Sequence, residues 1–372
     1  MPAENMVREL TLCASALTGF SDEAILPEAI RRAAAQLLRS MTPSELLARA
    51  SSGDHDVAHA LCQAVSVGET YFFRHPEHFL FVAQTLVPQL VARKAHRVFA
   101  WSAGCATGEE PYSIAACLLD SLPIGCEMTV EVLGTDLLSR NLAVAREGNY
   151  GSWSRRPAGP LLHTAFRPVP GEEGRVQVDA RVREATRFAE HNLLDPMAEG
   201  PFDLIFCRNV LVYFAPDAAR RTLAHIAAAL APGGIAIFGS MDATLPPPGL
   251  DPVGAPEEQI FRKPDPARDQ KPRPAAAAPA PAPLPVSPLP ARTPQPPEPV
   301  ALHLRALVHI ERGEKAVAEK ALQELSKAVP DYVPGILERA LLHGRAGERG
   351  QATALMREVL RRVEKLPDDD LI

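Results

Sequence analysis

The residues able to do chemistry in this 372-residue chain gather in four short runs. The first is Ala100-Trp-Ser-Ala-Gly-Cys-Ala-Thr-Gly-Glu-Glu-Pro-Tyr-Ser113. Gly104 and Gly108 let the backbone turn tightly and approach a ligand. Pro111 suits the first turn of a helix, and Glu109 and Glu110 put negative charge at its start. That charge also suits a ligand bearing an ammonium or a sulfonium. The run lacks the Gly-Lys-Ser/Thr of a triphosphate loop, which disfavours phosphate transfer. Taken alone, it reads equally well as a structural turn.

The second run, Gly134-Thr-Asp136, closes an apolar stretch. An acid at the end of a second strand grips ribose hydroxyls in doubly wound nucleoside binders, and Asp is also a good helix N-cap. The third, Phe202-Asp-Leu-Ile-Phe-Cys-Arg-Asn-Val-Leu-Val-Tyr-Phe214, leaves a strand pattern at polar Arg208 and Asn209, with Tyr213 a helical turn later. Tyr213 reads either as a site residue or as a core aromatic with its hydroxyl at the surface. The fourth, Glu69-Thr-Tyr-Phe-Phe-Arg-His-Pro76, is the densest aromatic stretch of a chain with only 5% aromatic residues. Thr70 and Arg74 share a face if it is helical, and Phe72 and Phe73 are plug residues.

These runs need a frame. Strand patterns at Arg97–Trp101, Val130–Thr135, Phe202–Phe206 and Ile235–Phe238 alternate with helical ones at Pro111–Asp120, Ser139–Arg146 and Asp217–Leu230. Such alternation implies an α/β fold whose parallel sheet is covered on both faces, with ligands at the carboxyl ends of the strands. Between Tyr150 and Asn192 prolines and glycines break the rhythm, and Arg175-Val-Gln-Val-Asp179 alternates like a hairpin strand. A small β-rich insertion is expected at about 150–190. Upstream, Ile25, Ala29, Ile30, Ala33, Ala34, Leu37 and Leu38 keep helical spacing in a helical layer from about Glu23 to Val67, with Thr42 or Ser44 capping a further helix. Its Arg31, Arg32, Arg39 and Arg49 form either a docking face for an acidic partner or a solvated helix side.

The 37 prolines are about twice average usage, and the excess collects between Pro264 and Pro299, where Pro and Ala dominate and an extended linker is expected. Beyond it, Ala306/Ala340, Gly313/Gly347, Glu314/Glu348, Ala318/Ala352 and Leu325/Val359 all repeat at 34 residues, the tetratricopeptide period. The expected organisation is a helical domain (1–80), a Rossmann-like domain (81–263) holding the insertion, the linker (264–299) and helical repeats (300–372).

Net charge of −6 and the absence of a dense basic stripe point away from nucleic acid. Six scattered cysteines make no Cys-x-x-Cys pair and no histidines complete a zinc set, so no metal is expected. With neither a signal-peptide pattern nor an apolar run of about 18 residues, a cytoplasmic protein without membrane insertion is expected.

The four runs together, with Asn192-Leu193 and the Leu230-Ala-Pro-Gly-Gly234 turn, resemble the CheR family of chemotaxis receptor glutamate methyltransferases over roughly residues 20–263. The resemblance implies an N-terminal helical domain, a Rossmann-like domain with an inserted β subdomain and, in some relatives, C-terminal tetratricopeptide repeats. It implies S-adenosylmethionine as cofactor, with S-adenosylhomocysteine as product. The substrate would be glutamate side chains on the cytoplasmic part of methyl-accepting chemotaxis receptors. Thr70, Arg74, Glu109, Asp136, Asn192, Leu193, Asn209 and Val210 match positions that contact the cofactor, beside the Gly104 turn. Arg74 and Tyr213 match positions near the transferred methyl. Gly68 departs from the Asn common in the family, removing one side-chain contact. Competing readings are a methyltransferase for another protein or a small molecule, and a non-catalytic scaffold working through its repeats.

Overall fold

The computed structural model describes residues 4–65, 70–151, 154, 165–172, 174–239, 242, 247–266, 302–303, 306, 309–310, 315–330, 333–345 and 348–363. Gly68 and Glu69, most of the Pro/Ala linker, and Gly313, Glu314 and Gly347 of the repeat lie outside the described residues.

Four helices open the chain: α1 (Glu4–Thr18), α2 (Pro27–Leu37), α3 (Pro43–Ser51) and α4 (His55–Val65). Helix α1 was not expected from the sequence; the helical layer expected from Glu23 comprises three helices, and of the two caps expected for the second, Thr42 is the one used. The α2–α3 break falls where Thr42 caps α3. Its hydroxyl accepts the Glu45 N–H and the Glu45 carboxylate returns to the Thr42 N–H, a capping box. Leu10, Ile30, Leu46 and Leu61, one from each helix, are fully buried together.

After the Thr70–His75 turn, α5 (Pro76–Phe81) and α6 (Val87–Ala92) run on through one π-helical turn, Val82–Leu86. Val87 N–H donates to Val82 O, while Pro88 has no N–H to give.

Strand β1 (Arg97–Ala103) leads through α7 (Glu109–Ser121) to β2 (Thr129–Asp136) and α8 (Ser139–Glu147). Then β3 (Asn149–Tyr150), β4 (Phe166–Pro168) and β5 (Val176–Val178) form an antiparallel sheet ordered β3-β5-β4. This sheet is shorter than the 150–190 insertion expected. Past it, α9 (Ala180–Glu184) feeds β6 (Thr186–Glu190), which pairs parallel to β2. With no fully buried residue and with Arg187 and Glu190 exposed, β6 lacks the apolar run that marks the inner strands.

Strand β7 (Phe202–Cys207), helix α10 (Pro216–Ala229) and β8 (Leu230–Phe238) continue the alternation, and β9 (Asp251–Pro252) and β10 (Ile260–Arg262) close the edge antiparallel. The main sheet runs β6-β2-β1-β7-β8-β10-β9, its first five strands parallel. Side chains of β1 alternate between two cores: Val98 and Ala100 enter one, Phe99, Trp101 and Ala103 the other. The chain winds outward in both directions from β1 and β7, so a crevice opens beyond their carboxyl ends.

The C-terminal part contains α11 (Lys315–Ala328), α12 (Val333–Arg345) and α13 (Arg349–Val363). Ala306 and Ala340 are both buried, as are Leu325 and Val359.

Phe72 couples the Thr70–His75 turn to the small sheet. It is fully buried and meets Phe166 and Tyr150 edge-on, with centroids 4.4 and 4.9 Å away. Phe72→Ala is expected to cost about 3–5 kcal/mol of unfolding free energy, read from the urea midpoint. A loss under about 1 kcal/mol would mean that the aromatic cluster collapses around the gap.

Candidate active site

The crevice at the sheet's carboxyl edge is lined by residues of the strand-end loops and of the N-terminal helical layer. Loops after four adjacent strands build it. Beyond β1, Gly104 and Cys105 donate their N–H groups to Thr135 O, both at 2.8 Å, and Ala106 N–H donates to Asp136 Oδ2 at 2.9 Å. Gly104 has φ +77°, and a Cβ there would lie 2.6 Å from Val210 Cγ2, so no other residue fits.

Beyond β2, Asp136 lines the cleft while its Oδ1 accepts from Leu138 N–H and Asn141 Nδ2, both at 3.0 Å. Asp136 is not the N-cap of α8, a position held by Leu138; it braces the chain ahead of that helix and lines the cleft. Burial raises its carboxyl above the ordinary value, and the N–H donors oppose that rise. Beyond β6 come His191, Asn192 and Leu193. The Asn192 amide is engaged at both ends, donating to Leu17 O at 2.9 Å and accepting Leu194 N–H at 3.0 Å.

Beyond β7, Arg208, Asn209 and Val210 line the cleft. Asn209 sits at φ +59°, where its short polar side chain is tolerated, and its Oδ1 is buried with no partner among the described residues. The loop is held by Asp242, whose carboxylate accepts N–H groups from Asn209, Val210 (3.0 Å), Val212 (3.1 Å) and Gly239 (2.9 Å). Asp242 was missed in the sequence, although it follows β8 as Asp136 closes β2.

Thr70, Arg74 and Tyr213 also line the cleft. The Thr70–His75 segment is a turn rather than a helix, with Phe73 and His75 at φ +52° and +59°. Tyr213 stands in a short 3-10 turn, its ring 5.6 Å from Phe20. Thr18 and Phe20 come from the N-terminal layer, which sequence reasoning did not bring to the site. Ser21 N–H donates to Tyr213 O and Ala215 N–H to Gly19 O, each at 2.8 Å, fastening that wall.

One candidate residue falls outside. Glu109 is only 2% exposed, does not line the cleft, and accepts the Thr107 hydroxyl at 2.6 Å. Burial raises its carboxyl. Its neighbour Glu110 lines the cleft instead, accepting Ser102 Oγ at 2.7 Å and pairing with Arg208 Nε at 2.7 Å. Successive helical residues point about 100° apart, so a doublet of acids cannot face one site together.

Residues 68–246 match the family model described as CheR methyltransferase, SAM binding domain. A chemotaxis protein methyltransferase of Vibrio parahaemolyticus is 33% identical over 205 residues, 54% of this chain and 74% of that protein. The chain belongs to the CheR methyltransferase family. Chemotaxis protein methyltransferase 1 of Pseudomonas aeruginosa is 32% identical over 205 residues, again 54% of this chain and 74% of that protein. The probable biofilm formation methyltransferase WspC of the same species is 36% identical over 220 residues, 57% of this chain and 50% of that one. This CheR-family chain is thus an S-adenosylmethionine-dependent methyltransferase.

The cleft suits that cofactor. Gly104 brings the loop beyond β1 close against Val210, Asp136 offers a carboxylate after the second strand, and the buried Asn209 carbonyl has no partner among the described residues. Among the described residues no cluster of His, Cys, Asp or Glu could hold a metal ion, and no helix is long and apolar enough to cross a membrane.

Behind the cleft, His78 is 3% exposed. Its Nε2 lies 2.9 Å from Glu258 O and must donate, so Nδ1 is the acceptor for Arg208 Nη1 at 3.2 Å. Burial first, then the Arg208 charge, push this imidazole down to about 3 from 6.5. Between those values the unfolded chain binds a proton that the folded chain refuses. The stability tied to neutral His78 is therefore present above pH 6.5 and is lost as pH falls towards 3. Urea midpoints measured at about pH 7.5 and about pH 5 are expected to drop in the wild type and to drop less in His78→Gln. An equal drop in both would remove His78 as the cause.

Proposed function

We propose that this CheR-family methyltransferase esterifies glutamate side chains on the cytoplasmic part of methyl-accepting, chemotaxis-type receptors. What carries the reading is one cleft that joins Asp136, a ribose-type carboxylate, to a cationic side chain, Arg74, and a phenol, Tyr213. The names of the relatives, chemotaxis protein methyltransferases, support the same substrate class.

In this reading Thr70, Gly104, Asp136, Asn192, Leu193, Asn209 and Val210 hold the cofactor, with Arg74 at the reacting end. S-adenosylmethionine supplies a methyl group activated by its bond to a sulfonium. A glutamate carboxylate is already ionised at neutral pH, since Glu titrates near 4.3, so its oxygen attacks without a general base. Such a transfer would form a C–O bond to the carboxylate and break the C–S bond with its electron pair passing to sulfur, so that a neutral ester and a thioether would leave. Arg74 orients the carboxylate through a charge-assisted hydrogen bond, and Tyr213 lines the methyl path. Alignment and exclusion of water supply the acceleration. A grip by Arg74 tight enough to stabilise the ground state would waste it.

Arg74→Ala is expected to lower turnover roughly 100-fold while keeping cofactor affinity within about tenfold. The assay is transfer of base-labile label from radiolabelled S-adenosylmethionine to receptor-bearing membranes, with cofactor affinity by calorimetry. Unchanged turnover would remove Arg74 from the mechanism. Cofactor binding without any label would move the search to other substrates or a scaffold role.

The docking face is narrower than four arginines. Arg31 pairs with Glu28 and Arg49 with Asp54, whereas Arg32 and Arg140 border a groove floored by Ala29, Ala33, Ala60 and Ala64. In this reading an acidic receptor helix would dock there, its carboxylates facing Arg32 and Arg140. Arg32→Glu is expected to raise the half-saturating receptor concentration about tenfold and to leave cofactor affinity unchanged; an equal loss of cofactor affinity would refute a docking role. The C-terminal helices are read as tetratricopeptide-like pairs that recruit an additional protein partner, supported by the matched burial at 34-residue spacing of Ala306 with Ala340 and Leu325 with Val359. A Pro/Ala linker between the two parts would raise that partner's concentration near the cleft.

A further inference from the structure

We propose that Arg208 is a positioning residue: buried against Glu110, it holds the main chain of the Arg74 turn and so sets where the Arg74 side chain meets the methyl acceptor. The inference rests on the reading of Arg74 given above, but its geometry is independent of it.

The Arg208 side chain is only 2% exposed, so it is badly placed to serve as a ligand-binding arm. A guanidinium with so little water around it needs partners on the protein side. Its Nε donates to Glu110 Oε2 at 2.7 Å, and its Nη1 donates to the carbonyl of Arg74 and reaches His78 Nδ1. Phe206 and Phe79 present their rings to it, with centroids 5.0 and 5.4 Å from Cζ. The second carboxylate oxygen of Glu110 is taken by Ser102 Oγ, and His78 Nε2–H is taken by Glu258 O. Arg208 thus ties the end of β7 to the start of α7 and to the turn before α5. A planar fork can serve these acceptors at once; a lysine ammonium, a point charge on a flexible stem, cannot reach them in the same directions.

The turn that receives this bond needs holding. Phe73 and His75, on either side of Arg74, both have positive φ, which non-glycine residues keep only when their surroundings impose it. Two further bonds hold the front of the turn: Phe72 N–H to Ser154 O at 2.9 Å and Phe73 N–H to Ser113 Oγ at 3.0 Å. The Arg74 carbonyl accepts the bond from Arg208, and one residue further on His75 O accepts His78 N–H at 3.1 Å. Losing the Arg208 bond loosens the main chain at Arg74 and shifts its side chain on the cleft wall.

The test compares wild type, Arg208→Lys, Glu110→Gln, Arg74→Ala and Arg208→Lys/Arg74→Ala in the full chain. In Arg208→Lys, amide hydrogen exchange at residues 71–75 is expected to speed up about tenfold or more, with β1 and β7 amides within about twofold of wild type. Cofactor affinity by calorimetry stays within about threefold, while the methylation rate of receptor-bearing membranes at saturating cofactor falls about tenfold or more. Adding Arg208→Lys to Arg74→Ala lowers the rate less than about twofold further, because both substitutions remove the same contact. Unchanged exchange at 71–75 overturns the proposal. So do fully multiplicative rate losses, or a cofactor affinity that collapses while the saturated rate survives. If Arg208→Lys unfolds globally, Glu110→Gln, which loosens the pair without removing the guanidinium, decides on the same readouts. If Arg74→Ala turns over like wild type, the Arg74 reading fails on its own, and the exchange result still decides whether Arg208 holds the turn.

Discussion

Five parallel strands, the inner four buried on both faces, end along one edge of the sheet, and every loop beyond them must find partners for its own N–H and C=O groups. That demand shapes the cleft. Asp136 satisfies the Ala106 and Leu138 amides, and Asp242 satisfies four more after β7 and β8. Each carboxylate fixes loop backbone from inside a poorly hydrated pocket, where burial drives its own titration upward. Loops secured this way can present Gly104, Asn209 and Val210 at fixed places before any ligand arrives, which is what alignment catalysis requires.

Charge is balanced locally. Glu110 and Arg208 neutralise each other beneath the cleft, and His78 stays neutral beside that arginine, so Arg208 needs no second counter-ion. Arg74 stands in the cleft wall with Tyr71 beside its guanidinium at 5.6 Å. A buried ion pair of this kind is weak evidence of stability, because desolvating two charges offsets much of their attraction. Its contribution is geometric: it fixes which elements lie against one another at the reacting end.

The N-terminal helices complete the site rather than decorate it. Residues 17–21 lie across the mouth of the sheet, bonded to Asn192, Tyr213 and Ala215, with Thr18 and Phe20 in the cleft wall. The groove between α2 and α4 belongs to the same layer, at its junction with α8 through Arg140.

The sequence by itself determined the alternation of strands and helices, because strands buried on both faces read as unbroken apolar runs. Polar residues directly after such runs lie at the ligand edge, as Asp136 and Asn209 do, whereas Arg74 stood out by its aromatic run and reaches the cleft from a turn. The sequence was mute on β6, whose edge position leaves no apolar signature, and on α1. Only the tertiary structure decided between Glu109 and Glu110, because helical phase depends on where α7 begins against the sheet. Only it joined Leu17 to Asn192 and Asp242 to Asn209, since contacts across such spans follow from packing that no local pattern encodes.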